Sequence, residues 1–158
     1  MVDAANTRFG KLHYLVNVAG GSGTVPADTI EDMTEEIWNR VIDANLKGTY
    51  LCCRAAVPHM KASGGGAIVV VASTSGIGGD PMRFAYNASK AAAINLARAA
   101  ALDWAVRGVR VNVMAPGPTM TSILQGGKLT PEHLRELTRN IPLQRMGTPE
   151  EQAEAICF

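Results

Sequence analysis

The chain has 158 residues, 47 % of them apolar and 18 % charged, with 15 basic against 14 acidic side chains. That balance, with the basic residues scattered, excludes an electrostatic case for nucleic acid or an anionic membrane. No apolar run approaches the roughly 20 residues that span a bilayer, and the polar start MVDAANTRFG is unlike a signal peptide.

The predicted elements follow in chain order. A short helical stretch at 2–8 precedes a β-branched run, LHYLVNVAG (12–20). A long helix is expected from Thr34 to Lys61, with Thr34 as its cap and Glu35 and Glu36 in the first turn. Pro58 is expected to disturb its end, and Gly64–Gly66 return the chain to a second strand, AIVVVAS (67–73). That run is apolar on both faces, as in a strand buried in a parallel sheet. SGIGG (75–79) leads into a loop, and a second helix is expected from Tyr86 to Arg107, closed by Gly108. It is apolar nearly all round, so cover is expected on more than one side. VRVNVMAP (109–116) is the third strand. A last helix begins at Thr148, with Thr148 and Glu151 as a capping box and Pro149 in the first turn.

Strand, helix, strand, helix, strand implies a parallel sheet with both long helices on one face. The candidate covers for the other face are the stretch at 2–8 and the last helix. The edge of the first strand has no partner in this reading. The expected class is therefore α/β, a single but incomplete domain over 1–158, cut at both ends. Cys52, Cys53 and Cys157 read as reduced packing residues of a cytoplasmic protein. His13, His59 and His133 lie far apart, so no metal site is expected.

Chemistry concentrates in FAYNASK (84–90). Tyr86 and Lys90 share a helix face at four residues' spacing. A free phenol, with a pKa near 10, is a poor base at neutral pH. A cation ~4 Å away at an effective dielectric of ~20 favours the phenolate by ~4 kcal/mol, which moves it into a useful range. Ser73 ends a buried strand, where open α/β sheets bind ligands, and can donate to a substrate carbonyl. Asn45 lies by the apolar stripe of the first long helix, where a buried amide needs a partner.

With these residues in place, the sequence resembles the short-chain dehydrogenase/reductases, of the small kind that includes 3-oxoacyl carrier-protein reductases. NVAG (17–20), ANLKG (44–48), the Ser73, Tyr86 and Lys90 spacing, VRVNVMAPGPTMT (109–121) and PLQRMGTPEEQAEA (142–155) carry the likeness along essentially the whole chain. The resemblance implies a Rossmann-like doubly wound parallel sheet and hydride transfer between NAD or NADP and an alcohol/carbonyl pair. In that frame Tyr86 exchanges the substrate proton and Lys90 lowers its pKa and binds the nicotinamide ribose. Ser73 positions the carbonyl, and Asn45 anchors a water in a proton relay. Asn17, Ala19 and Gly20 would lie against the adenosine ribose. Pro116 and Gly117 would pass close to the nicotinamide, with Thr119 and Thr121 near its carboxamide and phosphates. Residues 120–140, hinged at Gly126–Gly127, would form a substrate lid. A homo-dimer or tetramer through the helices at 34–61 and 86–107 is implied.

The sequence also departs from the family pattern. Val18 stands where the family has a second asparagine. The glycine-rich turn T-G-x-x-x-G-I-G is absent, as are the first three strands and the last strand. NAD and NADP are therefore not distinguished, and this chain alone is expected to bind cofactor feebly and turn over little. The alternative is a non-catalytic remnant that serves as an oligomerising or interaction module.

Overall fold

The computed structural model describes residues 1–22, 29–121 and 130–158. They fall into two compact units, Met1–Ala115 and Pro116–Phe158.

The first unit contains α1 (Val2–Phe9), β1 (Tyr14–Asn17), α2 (Glu35–Ile42), a π-helical turn (Asp43–Lys47), α3 (Gly48–Ala62), β2 (Gly66–Val71), α4 (Ser75–Gly78), α5 (Phe84–Ala105) and β3 (Val109–Met114). The three strands are parallel in the order β1-β2-β3. Leu15 aligns with Ile68 and Asn17 with Val70, and Ile68 with Val111. This row of side chains faces α3 and α5. Ile68, Val70, Val109 and Val111 pack there with Cys53, Ala56 and Met60 of α3 and Ala93, Ala97 and Ala100 of α5. Each fully buried aliphatic side chain is worth ~1.5–3 kcal/mol. The small alanines of α5 let that helix lie close to the strands. On the other face, alternation puts Tyr14 and Val16 at the surface, 75 % and 41 % exposed.

Several expectations change in detail. Thr34 caps α2 by accepting from the Ile37 N–H at 3.3 Å, but the helix expected at 34–61 is opened by the π-helical turn before it resumes as α3. Pro58 does not end α3, which runs on to Ala62. Within SGIGG (75–79), Ser75–Gly78 forms a short helix, and the chain then enters the expected loop before α5. The N-terminal helix does not cover the open sheet face. It contacts α3, Val2 packs against the core, and Asp3 reaches His59 at 2.9 Å.

The second unit contains α6 (Pro131–Thr138) and α7 (Pro149–Cys157). The capping box forms as expected, with Thr148 and Glu151 exchanging side-chain-to-backbone hydrogen bonds at 3.2 and 2.8 Å. A single bridge joins Thr119 to Gly147. The expected hinge at Gly126–Gly127 lies outside the described residues.

Candidate active site

β2 stops at Val71, and the next amide, Ala72, still donates to the Met114 carbonyl at 2.7 Å. Ser73 therefore sits just past the C-terminal end of the central strand. It is 8 % exposed. The Ser75 amide donates to Ser73 Oγ at 3.1 Å, and Ser73 Oγ donates to Ser75 Oγ at 3.0 Å. Ser75 Oγ in turn donates to Asp80 Oδ2 in a short hydrogen bond. The main chain of Asp80 is clamped to α5: Asn87 Nδ2 donates to its carbonyl at 2.7 Å, and its amide donates to Asn87 Oδ1 at 3.3 Å.

Helix α5 brings Tyr86 and Lys90 to the same place. Lys90 is 4 % exposed, and its Nζ donates to the Val71 carbonyl at 2.9 Å. The ammonium is thus fastened to the last residue of β2, two positions before Ser73. It lies 5.7 Å from the centroid of the Tyr86 ring. Burial holds the Lys90 pKa below the ordinary lysine value, because desolvation penalises the charged form. Among the described residues, no carboxylate makes an ion pair with it. The close seating of α4 on α5 depends on Gly76. A Cβ there would stand 2.6 Å from the Lys90 carbonyl carbon.

Asn45 lies in the π-helical turn and is 1 % exposed. Its amide closes on the loop after β1: Oδ1 accepts from the Gly21 N–H at 2.9 Å and Nδ2 donates to the Gly21 carbonyl at 2.8 Å. Nδ2 also donates to the Val41 carbonyl at 3.0 Å, and Thr49 Oγ1 donates to the Asn45 carbonyl at 2.8 Å. Side chains have captured two carbonyls of the helical ladder, a known way to widen a helix turn, and such turns are frequent at functional sites. Gly20 completes the cluster. A Cβ at Gly20 would lie 2.3 Å from Asn45 Oδ1 and 3.3 Å from Lys90 Nζ.

The remaining candidates are placed differently. Asn17 points its side chain into the core, where Nδ2 donates to Cys53 Sγ at 3.5 Å. Burial pushes that thiol up to about 11, against the smaller opposing effect of the Asn17 hydrogen bond. Ala19 and Gly20 are at the surface. Pro116, Gly117, Thr119 and Thr121 belong to the second unit. There Gly117 is exposed, with nothing crowding the place of a Cβ, and Thr119 Oγ1 donates to its carbonyl at 3.1 Å. Sequence reasoning missed Ser75, Asp80 and Gly21. The S-x-S spacing with an acid five residues on was a usable signal for the first two; Gly21 offered none.

A family model described as "Enoyl-(Acyl carrier protein) reductase" matches residues 1–158. The chain belongs to the short-chain dehydrogenase/reductase family. Its sheet is accordingly part of a Rossmann-like fold. It is 42 % identical over 154 residues to an uncharacterized oxidoreductase of Thermotoga maritima, covering 95 % of this chain and 60 % of that protein. It is 39 % identical to the cis-4-hydroxycyclohexanecarboxylate dehydrogenase of Sinomonas cyclohexanicum, over 100 % of this chain and 62 % of that enzyme. A solved 7α-hydroxysteroid dehydrogenase, complexed with NADH and 7-oxo glycochenodeoxycholic acid, superposes with a TM-score of 0.90 at 32 % identity. That match covers 99 % of this chain and 60 % of the other. The chain thus spans about 60 % of the length of these relatives.

Proposed function

We propose that the chain carries the catalytic side of an oxidoreductase that interconverts an alcohol and a carbonyl with NAD or NADP. The observation that carries this reading is the buried Lys90 ammonium. It is tied to the end of β2 and lies 5.7 Å from the Tyr86 ring. A buried cation with no ion pair among the described residues is costly, and its position beside a phenol gives it a use. The alcohol dehydrogenases among the relatives support the same reading.

The donor set fits the cofactor. Lys90 has three N–H donors, and one is committed to Val71. The other two suit the hydroxyls of a ribose. When bound, the nicotinamide supplies or takes the hydride. Tyr86 exchanges the proton at the substrate oxygen. Lys90 stabilises the negative charge that develops on the phenol oxygen. Ser73 fixes the substrate oxygen by a hydrogen bond, and Asn45 holds the Gly20–Gly21 loop against Lys90. Ala19 and Gly20 offer backbone to the adenosine side, and Asn17 supports that loop from within the core. Pro116, Gly117, Thr119 and Thr121 are assigned to the nicotinamide and phosphate end by the resemblance alone.

Titration of NADH and NADPH, followed by NMR at Gly20, Tyr86 and Lys90, tests this. The expected result is saturable but weak binding that shifts those residues and is lost in Lys90→Met. Absence of any shift at those positions up to millimolar cofactor would sink the reading. A homo-dimer or tetramer through the helices at 34–61, which are α2 and α3, and at 86–107, within and just past α5, belongs to the same proposal. One observation favours a second reading, an oligomerising module without catalysis: Leu102 of α5 and Val106, just past its end, are 80 % and 89 % exposed.

A further inference from the structure

The helical ladder slips at the turn that carries Asn45. The Gly48 amide donates five residues back, to the Asp43 carbonyl. A slip of one residue takes the regular amide partner from a neighbouring carbonyl, and a buried carbonyl needs a replacement. Two side chains supply donors here. Asn45 Nδ2 donates to the Val41 carbonyl at 3.0 Å. Thr49 Oγ1 donates to the Asn45 carbonyl at 2.8 Å. Asn45 and Thr49 are 1 % and 5 % exposed, so bulk water does not readily stand in for either donor. The Asn45 amide meanwhile closes on both the N–H and the carbonyl of Gly21. The turn also packs on α5, the helix that carries Tyr86 and Lys90. Gly20 lies between the two, where a Cβ would stand 2.3 Å from Asn45 Oδ1 and 3.3 Å from Lys90 Nζ. Contacts therefore run from the Thr49 hydroxyl through Asn45 to the Gly20–Gly21 loop beside Lys90.

We propose that Thr49 is a positioning residue: its hydroxyl keeps the π-helical turn open, so that Asn45 holds the Gly20–Gly21 loop in place for the cofactor. This rests on the oxidoreductase reading of the site. Without the hydroxyl, the buried Asn45 carbonyl recovers a donor when the turn tightens to the regular ladder. A π-helical turn is wider than the 3.6 residues of an α-helical one, so tightening rotates Asn45 about the helix axis. That rotation takes its amide off Gly21 and frees the loop beside Lys90.

Thr49→Val tests this, because valine keeps the branched shape and the helix propensity of threonine and lacks the hydroxyl. Two quantities are measured by NMR on the full chain. One is hydrogen exchange of the Gly21 amide, and the other is the dissociation constant of NADH read at Gly20 and Lys90. In Thr49→Val, Gly21 exchange speeds up and NADH binding weakens, each by about fivefold, the worth of one net hydrogen bond. Thr49→Ser keeps the hydroxyl and the wild-type values of both. Thr49→Ala also lacks the hydroxyl, and serves if the valine variant does not fold. A hydroxyl that merely stabilises the helix would lower the unfolding midpoint of the valine and alanine variants and leave both quantities unchanged. That result overturns the role of Thr49 and leaves the oxidoreductase reading standing. A Thr49→Ser variant that behaves like Thr49→Val overturns it as well. If NADH shifts neither Gly20 nor Lys90 in the wild-type chain, the oxidoreductase reading itself falls, and Gly21 exchange alone decides whether Thr49 holds the loop.

Discussion

Gly20 sits between Asn45 and Lys90, so a single methyl group there strikes both. Gly20→Ala would place its Cβ 2.3 Å from Asn45 Oδ1. The amide must then let go of Gly21, and two partly buried hydrogen bonds are lost. We expect the variant to lose about 1–3 kcal/mol in urea unfolding, with a shifted Asn45 side-chain amide resonance. Unchanged stability and an unshifted resonance would contradict the packing described. Lys90 makes the opposite trade. Its folded pKa lies below the unfolded value of 10.5 because of burial. The unfolded chain therefore binds more protons between those two values, and stability rises with pH across that window. Lys90→Met removes the buried charge while keeping most of the stem. It should leave the chain as stable at neutral pH, or up to about 2 kcal/mol more stable. The alkaline rise in stability should flatten, and cofactor binding should be lost. The Tyr86–Lys90 pair was legible because helix geometry alone puts residues four apart on one face. The partners of Asn45 and Asp80 were not. Gly21 lies 24 residues from Asn45, and the inward turn of Asn17 toward Cys53 is settled by packing across the sheet.

Helix α7 shows how much of an element can hang on its first turn. Arg145 grips Glu151 with two hydrogen bonds, at 2.9 and 2.6 Å, and Glu151 accepts from the Thr148 amide. First the Arg145 hydrogen bond and then the Thr148 amide hold the Glu151 carboxyl down at about 2, against 4.5 when free. This contribution is fully present above about 4.5 and is lost as pH falls toward about 2. The helical NMR shifts of residues 149–157 should fade over that acid range, and Glu151→Gln should abolish that pH dependence. Thr148→Ala should cost about 1 kcal/mol at neutral pH, the usual worth of a cap. Fading with the same midpoint in Glu151→Gln would show that another group is responsible. The capping box was legible because T-P-E-E states it within four residues. The same T-P-E begins at Thr130, which caps α6 by accepting from the His133 amide at 3.2 Å. That signal was present in the sequence but was absorbed into the expected lid. The π-helical turn was not legible, since it depends on which carbonyls Asn45 and Thr49 capture in three dimensions. Strand ends were overestimated for a similar reason. β1 pairs only as far as Asn17 opposite Val70, and the apolar run beyond it continues as surface chain.

For the molecule as a whole, the parallel order β1-β2-β3 followed from alternating strands and helices. The position of α1 did not, because the helix has no fully buried residue and its weak apolar stripe could have faced either layer. The same bookkeeping of faces bears on assembly. α5 buries Ala93, Ala97 and Ala100 against the strands and turns Ala91, Ala99 and Leu102 outward, with Val106 exposed just past its end. Ala99, Leu102 and Val106 recur at helical spacing as small and branched apolar side chains, while Asn95 and Arg98 separate them from Ala91. Tyr50 and Leu51 of α3 are also nearly half exposed, at 47 % and 46 %. A face of this kind, with small residues that allow close approach, suits another copy of the same helices in an isologous contact. Leu102→Asp places a charge at its centre without touching the core, because Leu102 is 80 % exposed in the single chain. Sedimentation equilibrium should show a dimer or larger species for the wild-type chain and a monomer for Leu102→Asp, with the unfolding of the monomeric variant altered little. A wild-type chain that stays monomeric at high concentration would remove the assembly proposal. A variant that still associates would move the contact away from α5.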